Sequence, residues 1–136
     1  MIVLVYMKTI FEKIIDREIP ADIIYEDDIC MAFLDINPVK KGHTLIVTKK
    51  PYPWIQDVPD HEISHVMITA QKIIRTMKSS LTADYVHIIV EGLDVPHFHM
   101  HLIPSSFSKE NATWYHEQYD SLEEKQQYIE NIKSHL

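Results

Sequence analysis

The spacing of apolar positions switches repeatedly between helical and extended along this chain. In "TIFEKIIDREIP", Ile10, Phe11, Ile14 and Ile15 share one helical face, Thr9 and Glu12 form a T-x-x-E capping box, and the helix is expected to stop before Pro20. "IIYED" and "CMAFLDI" are short apolar runs on either side of the acidic turn Glu26-Asp27-Asp28, which predicts a hairpin. "NPVKKG" supplies turn chemistry through Pro38 and Gly42, and "HTLIVTKK" reads as a third strand. Pro51, Pro53 and Pro59 then mark a loop. Asp60 is placed to cap a long helix whose core face is Ile63, Val66, Met67, Ala70, Ile73, Ile74 and Met77. "YVHIIVEG" and "HFHMHLIP" give a fourth and a fifth strand. A polar loop with Trp114 and Tyr115 follows Pro104, and Ser121 with Glu124 opens a last helix through a second capping box. The pattern predicts an α+β fold: an antiparallel sheet of about five strands, a long helix, shorter N- and C-terminal helices, and the helices on one side.

A chain of 136 residues is enough for one domain with a core, so residues 1–136 are expected to form one unit. Residues 1–7 read as an extra N-terminal segment and 105–136 as a variable C-terminal extension. The opening "MIVLVY" is too short to span a membrane and lacks the layout of a signal peptide. It reads as an added start or as a short edge strand. A net charge of −7 argues against non-specific nucleic-acid binding, which needs basic clusters to displace counterions. Cys30 is the only cysteine, so no intrachain disulfide and no CxxC motif exist, which suits a cytoplasmic protein.

The chemistry concentrates in "VPHFHMHLIP". On a strand, positions i, i+2 and i+4 share a face, so His97, His99 and His101 point one way while Phe98, Met100 and Leu102 point into the core. Three titratable rings in a row fit a solvated surface, a metal site in which two of them share an ion, or nucleophilic catalysis at phosphorus. Imidazole suits the last because its proton equilibrium lies near neutral pH. Asp35, at the end of "FLDINP", is placed to accept from the hydroxyls of a ribose, although an aspartate before Asn37-Pro38 also initiates a turn. His43, after Gly42, is a candidate fourth histidine.

"HFHMHLIP" resembles the H-x-H-x-H-x-x signature of the histidine-triad (HIT) superfamily of nucleotide hydrolases and transferases. The stretch from "TIFEKIIDREIPA" to "HTLIVTKK" is similar to the N-terminal half of its purine nucleoside phosphoramidase branch. The resemblance covers about residues 8–104. It implies a five-stranded sheet paired with a second copy into a homodimer. It also implies hydrolysis of a nucleoside monophosphate linked to a leaving group, often an amine, through a covalent nucleotidyl-His99. Carried onto this chain, Asp35 holds the ribose hydroxyls, and Phe11, Ile14, Phe33, Leu34 and Ile36 surround base and sugar. His43 and His97 fix the tautomer of the nucleophile, and His101 contacts the phosphate. The implied ligand is a purine nucleotide, with no cofactor, no metal, no nucleic acid and no membrane. The alternatives are a non-catalytic nucleotide-binding regulator and a metal-binding protein using the triad.

One stretch departs from the family pattern. Relatives carry a Gly- and Asn-rich loop before the triad that ends in Gly-Gln and often Ser. Here "VEGLDVPHFH" is shorter, with Val90, Leu93 and Asp94 at the corresponding places. Backbone N–H groups are therefore expected to cradle the phosphate. Asp94 is expected to face solvent, or to be held by a neighbour, while bonding the backbone of its own turn. The cysteine-based zinc site that some branches build near the first helix is not expected, because Thr9 and Glu12 stand in that region.

Overall fold

A computed structural model describes residues 6–108 and 115–136. Residues 1–5, expected as an added start or edge strand, and Trp114, expected in a polar loop, lie outside these. A five-stranded antiparallel sheet is built from β1 (Ile23–Glu26), β2 (Cys30–Leu34), β3 (Thr44–Thr48), β4 (Tyr85–Ile89) and β5 (His99–Ser105), in the order β1-β2-β3-β5-β4. Among the described residues, three α-helices pack on it: α1 (Ile10–Ile15), α2 (Asp60–Ser80) and α3 (Leu122–Lys133).

The β1–β2 hairpin forms where the acidic turn placed it. Asp27 closes the turn: its N–H donates to the Cys30 carbonyl and its Oδ1 accepts from Ile29 N and Cys30 N. The central strands β2 and β3 are buried at every position, because both faces of the sheet are covered. Alternation divides their side chains into two layers. Cys30, Ala32, Leu34, Ile46, Met100 and Leu102 meet α2 and α3 through Val66, Ala70, Ile73, Met77, Ile129 and Ile132. Met31, Phe33, Leu45 and Val47 face the other way and meet Phe11 and Ile14 of α1. The helices are therefore not all on one side: α1 covers the face opposite α2 and α3. That difference positions the site, because the triad histidines share the α1 face.

Several local expectations are refined. The Thr9–Glu12 capping box forms in both directions. The helix nevertheless ends at Ile15, well before Pro20, because Arg17 takes a left-handed backbone (φ 63°). Asp60 does not cap α2; Pro59 occupies that position and Asp60 lies in the first turn, where the helix dipole favours a carboxylate. Met67 is 45 % exposed rather than core, being rotated about 100° from the buried Val66. At α3, Ser121 Oγ accepts from Glu124 N, but the Glu124 carboxylate takes the N–H of Asp120, so the second box is displaced by one residue. Gly42 has φ 91°, and a Cβ there would meet Leu81 Cδ1 at 2.9 Å, so the β2–β3 turn needs a glycine.

Candidate active site

Cross-strand pairing builds the site in two rows. Val47 lies opposite His99, and Leu45 lies between Phe33 on one side and His101 on the other. Ile89 of β4 pairs with His101 from the outer edge. His97 precedes the strand but keeps its face, and it is fully buried. His43 and His99 are also buried, and His101 is half-buried.

Hydrogen-bond partners assign a tautomer to each neutral ring. A carbonyl only accepts, so His99 Nδ1, 2.8 Å from the His97 carbonyl, carries that ring's proton. Its Nε2 is left with a free lone pair. His97 Nε2 donates to the Thr48 carbonyl at 2.6 Å, so His97 Nδ1 accepts from Thr9 Oγ1 at 2.7 Å. The same Thr9 hydroxyl caps α1, which joins the first helix to the histidine row. Val39 N–H donates to His43 Nδ1 at 3.1 Å, so His43 Nε2 holds a proton and donates to His101 Nδ1 at 2.9 Å. His101 must then carry its proton on Nε2. The network therefore holds one bare imidazole nitrogen on His99 and one N–H donor on the neighbouring ring, with ring centroids 5.3 Å apart.

Burial keeps the supporting rings neutral. Desolvation pushes His43 down to about 4, against the opposing pull of Asp35. Desolvation also lowers His97 and His101, and the charges of Asp35, Glu91 and Asp94 act in the opposite direction on His101. Asp35 has two functions at once. Oδ1 accepts from Asn37 N at 2.8 Å, which makes the turn, and Oδ2 lies 3.5 Å from His43 Nε2. Asp35, Asn37, His43, Glu91, Asp94, His101 and His116 line an open cleft of about 370 Å³. Trp54, Glu91, Gly92 and Phe98 line a smaller recess of about 80 Å³ that reaches His99.

The remaining sequence candidates divide. Phe11, Ile14 and Phe33 are buried beneath the histidines, and the Phe11 ring meets His97 and His99 edge-on at 5.6 and 5.0 Å. Leu34 is not brought to the site: strand alternation sends it into the α2 layer. Ile36 is 90 % exposed beside Asp35 and lines the adjoining hollow with Pro38 and Leu122. Asp94 is exposed on the cleft and, among the described residues, accepts no hydrogen bond, so it does not brace its own turn as expected. His116 was missed. It comes from the segment with no transferable motif, and only the tertiary fold brings it to the turn at Asn37.

Among the described residues, two groups bring possible metal donors within 4.8 Å of one another: Asp35, His43 and His101, and Asp27, Cys30 and His65. In the second group the Asp27 carboxylate already accepts from Ile29 N, Cys30 N, Tyr25 Oη and His65 Nε2. Burial also pushes the Cys30 thiol up to about 12. That group serves as a hairpin hub.

The HIT domain family matches this chain over residues 16–108, which include the whole histidine row. The chain belongs to the HIT domain family. An uncharacterized HIT-like protein of Methanocaldococcus jannaschii is 44 % identical over 100 residues, covering 70 % of this chain and 77 % of its own. One from Synechocystis is 37 % identical over 103 residues, covering 70 % and 88 %. Among solved structures, a Hit-like protein involved in cell-cycle regulation from Bartonella henselae superposes with a TM-score of 0.81 at 31 % identity, covering 94 % of this HIT protein and 96 % of that one. A Zn-bound histidine triad family protein from Mycobacterium smegmatis gives 0.80 at 26 % identity, covering 92 % and 93 %.

Proposed function

We propose that this HIT protein hydrolyses a purine nucleoside monophosphate joined to a leaving group, as the phosphoramidase branch does, through a covalent nucleotidyl-His99. The observation that carries this reading is the bond from His99 Nδ1–H to the His97 carbonyl, which leaves Nε2 as a lone pair. In the first step that lone pair bonds to phosphorus, and the bond from phosphorus to the leaving amine breaks with its electron pair on nitrogen. The amine takes a proton from solvent in the open cleft. His101 Nε2–H donates to a phosphoryl oxygen and stabilises the charge developing there. Water then attacks phosphorus and releases a proton, and the electron pair of the P–N bond returns to His99. Asp35 Oδ2 accepts from the ribose. In this reading the protein acts as a cytoplasmic homodimer and needs no metal; among the described residues no helix is long and apolar enough to cross a membrane.

The test is a fluorogenic adenosine phosphoramidate with His99→Ala. Turnover is expected to fall by several orders of magnitude, as for a missing covalent nucleophile, with the melting temperature little changed. A variant with comparable kcat removes His99 from the mechanism. The donor set Asp35, His43 and His101 favours one second reading, a bound cation. Stoichiometric metal retained after chelation and reconstitution, with no hydrolysis, would establish it instead.

A further inference from the structure

The nucleotide reading gives the phosphate and the ribose their partners but leaves the base short of walls. Phe11, Ile14 and Phe33 are closed beneath the histidines, and Leu34 belongs to the α2 layer. Of the residues expected around the base, Ile36 is the one that is exposed.

Ile36 opens onto a second hollow of about 470 Å³, a volume typical of small-molecule sites. It shares Asp35 and Asn37 with the histidine cleft, and among the described residues no histidine lines it. The C-terminal segment builds its other wall. Residues 115–120 lie over the turn that carries Asp35. Glu117 N donates to the Pro38 carbonyl at 2.9 Å, Gly42 N donates to Tyr119 Oη at 2.9 Å, and Lys125 Nζ lies 3.1 Å from Asp22 Oδ2. These bonds hold Leu122, the first residue of α3, in the hollow that Ile36 lines, with its side chain 80 % exposed.

We infer that Leu122 is a base-binding residue: α3 supplies a wall of the nucleobase site, where Leu122 and Ile36 pack on the purine. The inference rests on the nucleotide reading above. A ribose held by its 2′ and 3′ hydroxyls carries its base on C1′ and its phosphate-bearing carbon on C4′, at opposite ends of the held edge. Asp35 stands in the wall between the two hollows. With phosphorus at His99, the base leaves on the side away from the histidines, which is the hollow of Ile36 and Leu122. The charge of that hollow fits the same assignment. Asp22, Asp35 and Glu117 line it, and Lys125 is already paired with Asp22, so a phosphate is repelled where an uncharged ring is not. Two exposed aliphatic side chains gain by covering the apolar face of that ring.

Calorimetry with AMP and with ribose 5-phosphate tests the assignment. Leu122 is exposed, so Leu122→Ala should leave the melting temperature unchanged. It is expected to weaken AMP binding about three- to tenfold, the scale of removing part of one aliphatic contact, and to leave ribose 5-phosphate within about twofold. Leu122→Met should keep AMP binding within about twofold of wild type, because it keeps the apolar contact. Unchanged AMP affinity in the alanine variant, or equal losses for both ligands, would overturn the inference while leaving the nucleotide site standing. So would wild-type protein that binds ribose 5-phosphate as tightly as AMP. Wild-type protein that binds neither ligand would overturn both readings.

Discussion

A neutral imidazole attacks only through the nitrogen without a proton, so each ring here is defined by what its other nitrogen touches. For Asp35 the same logic separates two oxygens. Oδ1 is committed to Asn37 N, while Oδ2 is available to a ligand. Asp35→Asn keeps an acceptor for the turn but loses the charge. It is expected to weaken AMP binding by about 1–3 kcal/mol, with little effect on a 2′,3′-dideoxy analogue. Equal losses by calorimetry would make the role of Asp35 purely structural. His43 gives a pH prediction. Its folded value, about 4, lies below the ordinary 6.5, so between these the unfolded chain binds more protons. Its contribution to stability is complete above about pH 6.5 and is lost as pH falls toward 4. His43→Gln should flatten that part of the curve in urea titrations; an unchanged slope would show that other groups set it. At this scale the triad was legible, because alternation alone puts three imidazoles on one face. The tautomers were not: His99 takes its own from the His97 carbonyl, while those of His97 and His43 depend on Thr48, Thr9 and Val39, brought in from distant parts of the chain. Nor was His116, whose sequence neighbourhood carries no motif.

Elements hold these rings in place, and α1 does so most directly. It has six residues, too few to be stable by propensity alone, so its cap and its buried Phe11 and Ile14 fix it to the sheet. The Thr9 hydroxyl accepts from Glu12 N and donates to His97. Thr9→Ala therefore removes a cap, at a cost of about 0.5–2 kcal/mol, and also leaves His97 Nδ1 buried without its donor. Urea denaturation should show the loss and kcat should fall with it, whereas Thr9→Ser should retain both. A stable, fully active alanine variant would separate the helix cap from the site. Periodicity revealed this helix and its capping box, yet not the sheet face it covers. Phe11 and Ile14 are apolar whichever layer receives them, and "CMAFL" is apolar on both faces, so the pattern had no polar side to orient the sheet. The same continuous burial explains Leu34: adjacent to Asp35 in sequence, it belongs to the opposite layer. Caps proved legible to within a residue, because Pro59 and Asp60, or Asp120 and Ser121, offer neighbouring solutions to the same unsatisfied N–H groups.

At the scale of the whole molecule, the sheet formed by the described residues has two edges, β1 and β4. α3 packs against β1 and α2 against β4, both through the sheet face. Among the described residues β4 pairs only with β5, and no position along it is fully buried. Ile88 is 46 % exposed on the face it shares with Leu102, which is the face that carries α2. On α2 itself Met67 and Ile68 are 45 % and 54 % exposed. An unpaired edge beside exposed apolar side chains is a surface that proteins cover. A second copy covers it without further design, since an antiparallel strand pairs with its own two-fold image and every contact is made twice. Joining β4 to its mate would extend the sheet across both subunits and bring the exposed side of α2 toward its equivalent. Sedimentation at micromolar concentration is therefore expected to give a dimer. Ile88→Lys should dissociate it, because a buried, unpaired ammonium then appears on both sides of the axis. The histidine network lies on the opposite sheet face, so the variant monomer should keep its fold and the tautomers of His43, His97 and His99. A wild-type monomer would count decisively against this assembly; a dimer that survives Ile88→Lys would move the interface away from β4.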